Sequence, residues 1–273
     1  MPGGGETSGP RTAGELWSRR QLRGLLAGRF APRALAAFLV ASTARAAEVR
    51  AQRPELTRQS RRWLAAGALV WLALAGARVP PFRRAAPLGL AWWAATAVML
   101  DWHLGMFETE DGRPRPLGLA DALTLTRAWL VPVAYAAPGP LVCGVGAVTD
   151  ALDGLAARRA EPTRAGRDLE GLVDVCFAAA SLGGLRRAGL IGRFPAGAEL
   201  LRLGAGFGYA VWRYFARAAP PDRELVGAAR ASTAMRAAGL AVAAGGRRRA
   251  GDFLVGAGCA ASLGLLAREV VDR

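Results

Sequence analysis

Apolar positions fall into long runs separated by short clusters of Arg, Pro and Gly. Residues 63–77 are uninterrupted apolar sequence, closed by Arg78, Pro80 and Pro81, and residues 85–100 form a second run with Trp92 and Trp93 inside it. Further runs cover 123–137, 141–159, 166–185, 195–218, 223–244 and 250–271. No stretch alternates with period two and no repeat is present, so the pattern predicts helices throughout. Pro138-Gly139-Pro140 closes one run, and Gly204, Gly206 and Gly208 interrupt the character of another. Several runs approach the ~20 residues that cross a bilayer, although the first two are short for it.

Before residue 63 the pattern changes. Residues 1–14 are rich in Gly and small polar residues and read as disordered. Twelve Arg against four Glu occur by residue 62, with Trp17, Leu22, Leu25, Leu26 and Phe30 interleaved. The uncharged run 34–44 is too short to span about 30 Å of hydrocarbon. This arm reads as basic helices lying on a membrane surface, or as a solvated arm with a small helical core. A cleavable signal peptide is not expected, because the first apolar stretch lies too far from the start. The expected divisions are a basic arm at 1–62, a transmembrane hairpin at 63–104, a polar, Pro-containing linker at 105–116, and a six-helix unit at 117–273. Trp63, Trp102, Arg61, Arg62, Arg83 and Arg84 flank the hairpin as interfacial anchors.

Composition sharpens this picture. The chain has 273 residues, 52% of them hydrophobic, and a formal net charge of +15. Its mean hydropathy is +0.20, too apolar for an ordinary soluble basic protein. There is no Lys, which excludes a P-loop or Schiff-base lysine, and His103 is the single His, which excludes multi-histidine metal sites. The arginines sit between apolar runs, so an anionic lipid surface fits better than nucleic acid. Cys143, Cys176 and Cys259 have no metal or redox spacing and read as small buried apolar residues.

The chemistry is concentrated in residues 150–174. Asp150 and Asp153 are three apart, and Glu170 and Asp174 are four apart, so each pair shares a helical face. A short loop at 159–166 would make the two helices antiparallel neighbours and bring four carboxylates to one point. Carboxylate oxygens are hard ligands suited to Mg²⁺ or Mn²⁺. Acids at embedded helix ends are costly unless compensated, which makes them functional candidates.

Asp150, Asp153, Gly154, Ala157, Arg158, Gly166 and Asp174 follow the order of a known signature. The stretch resembles that of the CDP-alcohol phosphatidyltransferases, Asp-x2-Asp-Gly-x2-Ala-Arg-x8-Gly-x3-Asp-x3-Asp. Two departures stand out: seven residues, not eight, separate Arg158 from Gly166, and Glu170 occupies the third Asp position. Upstream, Thr124 and Arg127 match the family's Pro-Asn-x2-Thr-x2-Arg, with Ala120 and Asp121 at the first two positions. A weaker match, Arg230 to Arg236, is similar to the Lys-x-Lys-Thr-x2-Gln stretch of phosphatidylglycerophosphate synthases, with Ser232 at the second Lys position and Thr233 matching.

The resemblance implies an all-α integral membrane protein. Its core would be a six-transmembrane-helix bundle over 117–273, carrying an N-terminal basic helical arm and an additional transmembrane hairpin. It implies transfer of a phosphatidyl group from a CDP-linked lipid such as CDP-diacylglycerol to a small alcohol acceptor, with release of CMP. Asp150, Asp153, Glu170 and Asp174 would form the cage for Mg²⁺ or Mn²⁺, and Asp174 would be the general base. Thr124, Arg127, Asp150, Gly154, Ala157, Arg158 and Thr163 would face the CDP group, where Gly154 lets the nucleotide approach the backbone. Arg230 and Arg236 would hold a phosphorylated acceptor, or else snorkel to the interface. The resemblance further implies a homodimer, multi-pass in the cell membrane, with the active site facing the cytoplasm. No nucleic-acid partner is expected. Two alternatives stand beside this reading: a catalytically impaired relative acting as a membrane scaffold, and a transporter. The transporter would need acids spread along a pathway, whereas here they cluster around one loop.

Overall fold

The computed structural model describes residues 12–109, 111–159, 163–216 and 223–271. Among them the chain is all-helical. The order is α1 (Ala13–Ala27), α2 (Pro32–Gln52), α3 (Pro54–Gly76), α4 (Pro80–His103), a 3-10 turn (Leu104–Met106), α5 (Leu119–Ala136), α6 (Pro140–Arg159), α7 (Arg164–Arg187), α8 (Arg193–Ala216), α9 (Arg223–Ala244) and α10 (Arg248–Val271). An isolated bridge between Glu108 and Pro114 is the only extended pairing among the described residues.

Local chemistry sets the boundaries. Pro32, Pro54, Pro80 and Pro140 each open a helix, where the missing N–H is not needed and φ is already suitable. The Thr12 hydroxyl caps α1 by accepting from the Glu15 N–H at 3.3 Å. Arg29 and Phe30 adopt φ of 49° and 54° in the turn between α1 and α2. The helices run past the apolar stretches read from sequence. Their charged end turns remain helical, as at the start of α3, where Glu55 pairs with Arg58. The three glycines at 204, 206 and 208 do not break α8.

The segment expected as a linker is folded into the body. Leu104, Phe107 and Leu117 are buried with Val49, Leu56, Trp93, Leu125, Leu169 and Val173 in one cluster. That cluster joins the N-terminal helices to α5 and α7. Gln59 exchanges two hydrogen bonds with Leu117, donating to its carbonyl and accepting from its N–H, both at 2.9 Å. Glu108, 4% exposed, lies 3.6 Å from Arg53 and accepts from the Gly14 N–H. Arg50 pairs with Asp101. At the tip of this segment Asp111 accepts from the Thr109 hydroxyl and from Arg113, and these two contacts, in that order, hold its carboxyl below the usual carboxylate range.

Indoles fasten α3, α4 and α5 together. Trp93 donates to the Leu64 carbonyl at 2.8 Å, Trp129 to Gly67 at 2.9 Å and Trp92 to Ala128 at 2.7 Å. Trp71, Phe82 and Trp129 stack edge to face or tilted, with centroids 5.0–5.3 Å apart. A second buried cluster joins α7 to α8, α9 and α10 through Leu182, Leu185, Ile191, Leu240, Val255 and Cys259.

Large apolar side chains are widely exposed, including Val70, Leu141, Leu201, Phe207 and Phe253. So much uncovered apolar surface suits a lipid environment. Among the described residues one helical segment, Arg248–Arg268, is long and apolar enough to cross a membrane. Only 22% of its apolar window is buried, unlike the core helix of a soluble protein. The sequence reading expected eight crossings, six in the bundle and two in the hairpin. The other helices of α3 to α9 have 18–24 residues. Internal charges such as Arg127, Asp174 and Glu199, together with their Gly and Trp content, hold their hydropathy down.

The contact between α3 and α4 gives a test. A Cβ on Gly89 would lie 2.1 Å from the Trp71 ring, whereas nothing lies within 4 Å of one on Gly24. Gly89→Ala should force the helices apart and cost about 1–3 kcal/mol. Thermal unfolding in detergent should show a lowered Tm for Gly89→Ala and no loss for Gly24→Ala.

Candidate active site

The site is built on α5. Gly118 precedes that helix, and its N–H donates to the Asp121 carboxylate at 2.7 Å, closing the first turn. One turn on, Thr124 and Arg127 share a face and are 5% and 1% exposed. A guanidinium buried this deeply must find carboxylates. Arg127 Nη2 lies 2.8 Å from Asp174 Oδ1 on α7 and 3.9 Å from Asp150 Oδ1 on α6. One nitrogen of α5 therefore joins the acids of two other helices. The sequence reading had α6 and α7 meeting directly. They do meet, with the Phe177 ring of α7 against Gly146 of α6, and α5 packs extensively on both.

The start of α7 is shaped by its own residues. Thr163 is the N-cap, its hydroxyl accepting from the Gly166 N–H at 3.0 Å. That buried hydroxyl is a helix cap in this structure, which bears on its expected place beside CDP. A Cβ on Gly166 would stand 2.8 Å from the Thr163 hydroxyl and 3.1 Å from Asp121 Oδ1. The glycine of the motif thus lets α7 approach the start of α5. Glu170 and Asp174 follow on one face, both half-buried. The side chains of Asp153, Gly154, Ala157, Arg158 and Arg230 lie outside the described residues.

Arg236 stands apart from this group in a buried cluster on α8, α9 and α10. Its Nε lies 3.2 Å from Glu199, and its two terminal nitrogens donate to Ser232 at 3.0 Å and Thr233 at 3.1 Å. Glu199, 2% exposed, also accepts twice from Arg202 and once from the Cys259 thiol. Sequence reasoning missed Glu199 and Arg202, and it read Cys259 as a buried small residue, which it is, without its bond to Glu199. The available signal was a lone acid three residues before an Arg inside an otherwise apolar helix.

No group of three or more His, Cys, Asp or Glu stands together as a metal-ligand set among the described residues. The donor chemistry still suits a divalent ion. Asp150 and Asp174 present hard oxygens to one point, where a cation, the Arg127 guanidinium, already sits.

The fold thus leaves apolar surface uncovered and gathers carboxylates from adjacent helices around one buried arginine. Residues 117–264 match the family model of the CDP-alcohol phosphatidyltransferases, and the chain belongs to that family. Its members are membrane-embedded, generally use divalent metal ions, and transfer phosphatidyl-type groups from CDP-alcohols in phospholipid synthesis. No curated protein and no solved structure matches the chain.

The Arg127–Asp174 contact can be measured without any assay of turnover. A double-mutant cycle of Arg127→Met and Asp174→Asn, followed by unfolding in detergent, should give a coupling energy of about 1–3 kcal/mol. A coupling near zero would show that the pair contributes nothing to the fold.

Proposed function

We propose that this chain transfers a phosphatidyl group from a CDP-linked lipid such as CDP-diacylglycerol to the hydroxyl of an acceptor alcohol, releasing CMP. The observation that carries the reading is the Arg127 guanidinium held between Asp150 and Asp174 inside the matched segment. The acceptor oxygen attacks the lipid-side phosphorus. The new P–O bond forms as the bond to the CMP oxygen breaks. Asp174 takes the hydroxyl proton and works mainly by position, since a carboxylate beside cations is a modest base. Arg127 fixes that carboxylate through its 2.8 Å contact.

Asp150, Asp153, Glu170 and Asp174 are the residues that would hold Mg²⁺ or Mn²⁺, whose charge would neutralise the pyrophosphate. Thr124, Arg127, Gly154, Ala157, Arg158 and Thr163 make up the CDP side. Arg230 and Arg236 are the proposed contacts of a phosphorylated acceptor. Arg236 would reach it by exchanging the hydroxyls of Ser232 and Thr233. Helices α5 to α10 form the six-span bundle and α3 with α4 the extra hairpin, in a homodimer whose site faces the cytoplasm.

A second reading is supported by two features of the motif, Glu170 at an Asp position and a loop one residue short. A relative that has lost turnover would keep the fold and serve as a membrane scaffold.

Purified protein with Mg²⁺ or Mn²⁺, labelled CDP-diacylglycerol and a panel of acceptors separates the two. The panel comprises glycerol 3-phosphate, inositol phosphate, serine and phosphatidylglycerol. CMP release is expected with one acceptor, and its absence with all of them would establish the scaffold. Asp174→Asn should lower the rate by about 10²–10⁴-fold; turnover that survives it would remove Asp174 as base. Glu170→Asp should also lower the rate, because the longer side chain and the shorter loop compensate each other.

A further inference from the structure

The α1–α2 hairpin is held to the body at one end only. Contacts come from the start of α1, where the Gly14 N–H donates to Glu108 and the Ser18 hydroxyl to Met106, and from the second half of α2, where Ser42, Ala46 and Val49 are buried, Arg50 pairs with Asp101 and Arg53 reaches Glu108. Leu25 is buried in α1, but the turn and the first half of α2 have little protein over them. Leu26, Phe30, Leu35, Leu39 and Val40 are 43–70% exposed. Arg20, Arg23, Arg29 and Arg33 are exposed on the same tip and have no acidic partner among the described residues. Residues 16–44 contain five Arg and no Asp or Glu. The left-handed turn at Arg29 and Phe30 brings both kinds of side chain to one end of the hairpin.

Two costs meet here. Exposed Leu, Phe and Val side chains lose free energy in water, and a cluster of like charges repels itself. Folding back onto the body would relieve the first and leave the second. A nucleic acid would relieve the second and leave the aliphatic side chains in water. An anionic lipid surface relieves both, since acyl chains accept the apolar groups and headgroup phosphates accept the guanidiniums. Arg suits that contact because its planar fork binds phosphate oxygens bidentately.

We propose that the tip of the α1–α2 hairpin, residues 16–44, is an anionic-lipid-binding prong that inserts at the interface of the membrane in which the rest of the chain is embedded. Anchoring through Arg50–Asp101 and Arg53–Glu108 ties it to the segment leading into α5. Its occupancy therefore follows the negative charge of the bilayer, independently of whether the site turns over.

The test uses the full chain in nanodiscs of phosphatidylcholine alone or with phosphatidylglycerol, read by amide hydrogen exchange. Residues 16–44 should exchange about tenfold or more slowly in the anionic discs, and high salt should reduce the difference. The quadruple variant Arg20→Gln, Arg23→Gln, Arg29→Gln and Arg33→Gln should lose it while exchange in α5 and α7 stays unchanged. Equal exchange in the two bilayers, or protection that survives the variant, would overturn the proposal. So would an RNA oligonucleotide that protects the same residues and is not displaced by phosphatidylglycerol vesicles.

Discussion

A guanidinium that is 1% exposed among apolar helices is tolerable only beside carboxylates, and Arg127 finds them on α6 and α7. Removing the carboxylates would leave that buried charge uncompensated, which destabilises the fold. The relative placement of α5, α6 and α7 is therefore constrained by charge as well as by packing. The acids are also held on one side by a cation that cannot leave. Arg127 offsets the mutual repulsion of Asp150 and Asp174 from within the fold.

The N-terminal half supports this arrangement rather than trailing from it. Trp92 and Trp129 tie α4 and α3 to α5, and the cluster containing Phe107, Leu125 and Leu169 runs from the arm into α7. The family match begins at residue 117, yet the core does not divide there. Gln59 meets Leu117 at that boundary with two hydrogen bonds, so the start of α5 is fixed by α3. The buried charge centre on α8 to α10, with Glu199 receiving Arg202, Arg236 and Cys259, plays a corresponding part for the last three helices. Both halves of the matched segment are organised around arginines whose partners come from other helices.

Much of this was legible in the chain itself. Apolar runs punctuated by Pro and Gly gave the helices to within a few residues, because Pro opens a helix and a run of apolar residues has nowhere to go but inward or into lipid. The spacing of Asp150, Glu170 and Asp174 put acids on shared helical faces, because helical periodicity fixes which residues lie together, and the signature they follow, with Thr124 and Arg127 upstream, resembles that of the family to which the chain belongs. Of the eight crossings expected from sequence, one passes the test of length and hydropathy among the described residues. Charges that serve the site or pair inside the bundle lower the hydropathy of the helices that carry them, which blurs the signal a lipid-facing span would show.

Sequence alone therefore determined the class of element, the spacing of the acids and, through their signature, the family, since these depend on residue type and local order. Only the tertiary structure decided how the acids meet. It placed α5 against both motif helices, so that Arg127 joins their acids in addition to the direct packing of Phe177 on Gly146. It also buried Gly105, Phe107, Glu108 and Thr109 of the segment 105–116, which its polar composition had marked as a connector, and it engaged Arg236 with Glu199, Ser232 and Thr233. Each outcome depends on which side chain another helix brings within a few ångströms, and no local pattern carries that information.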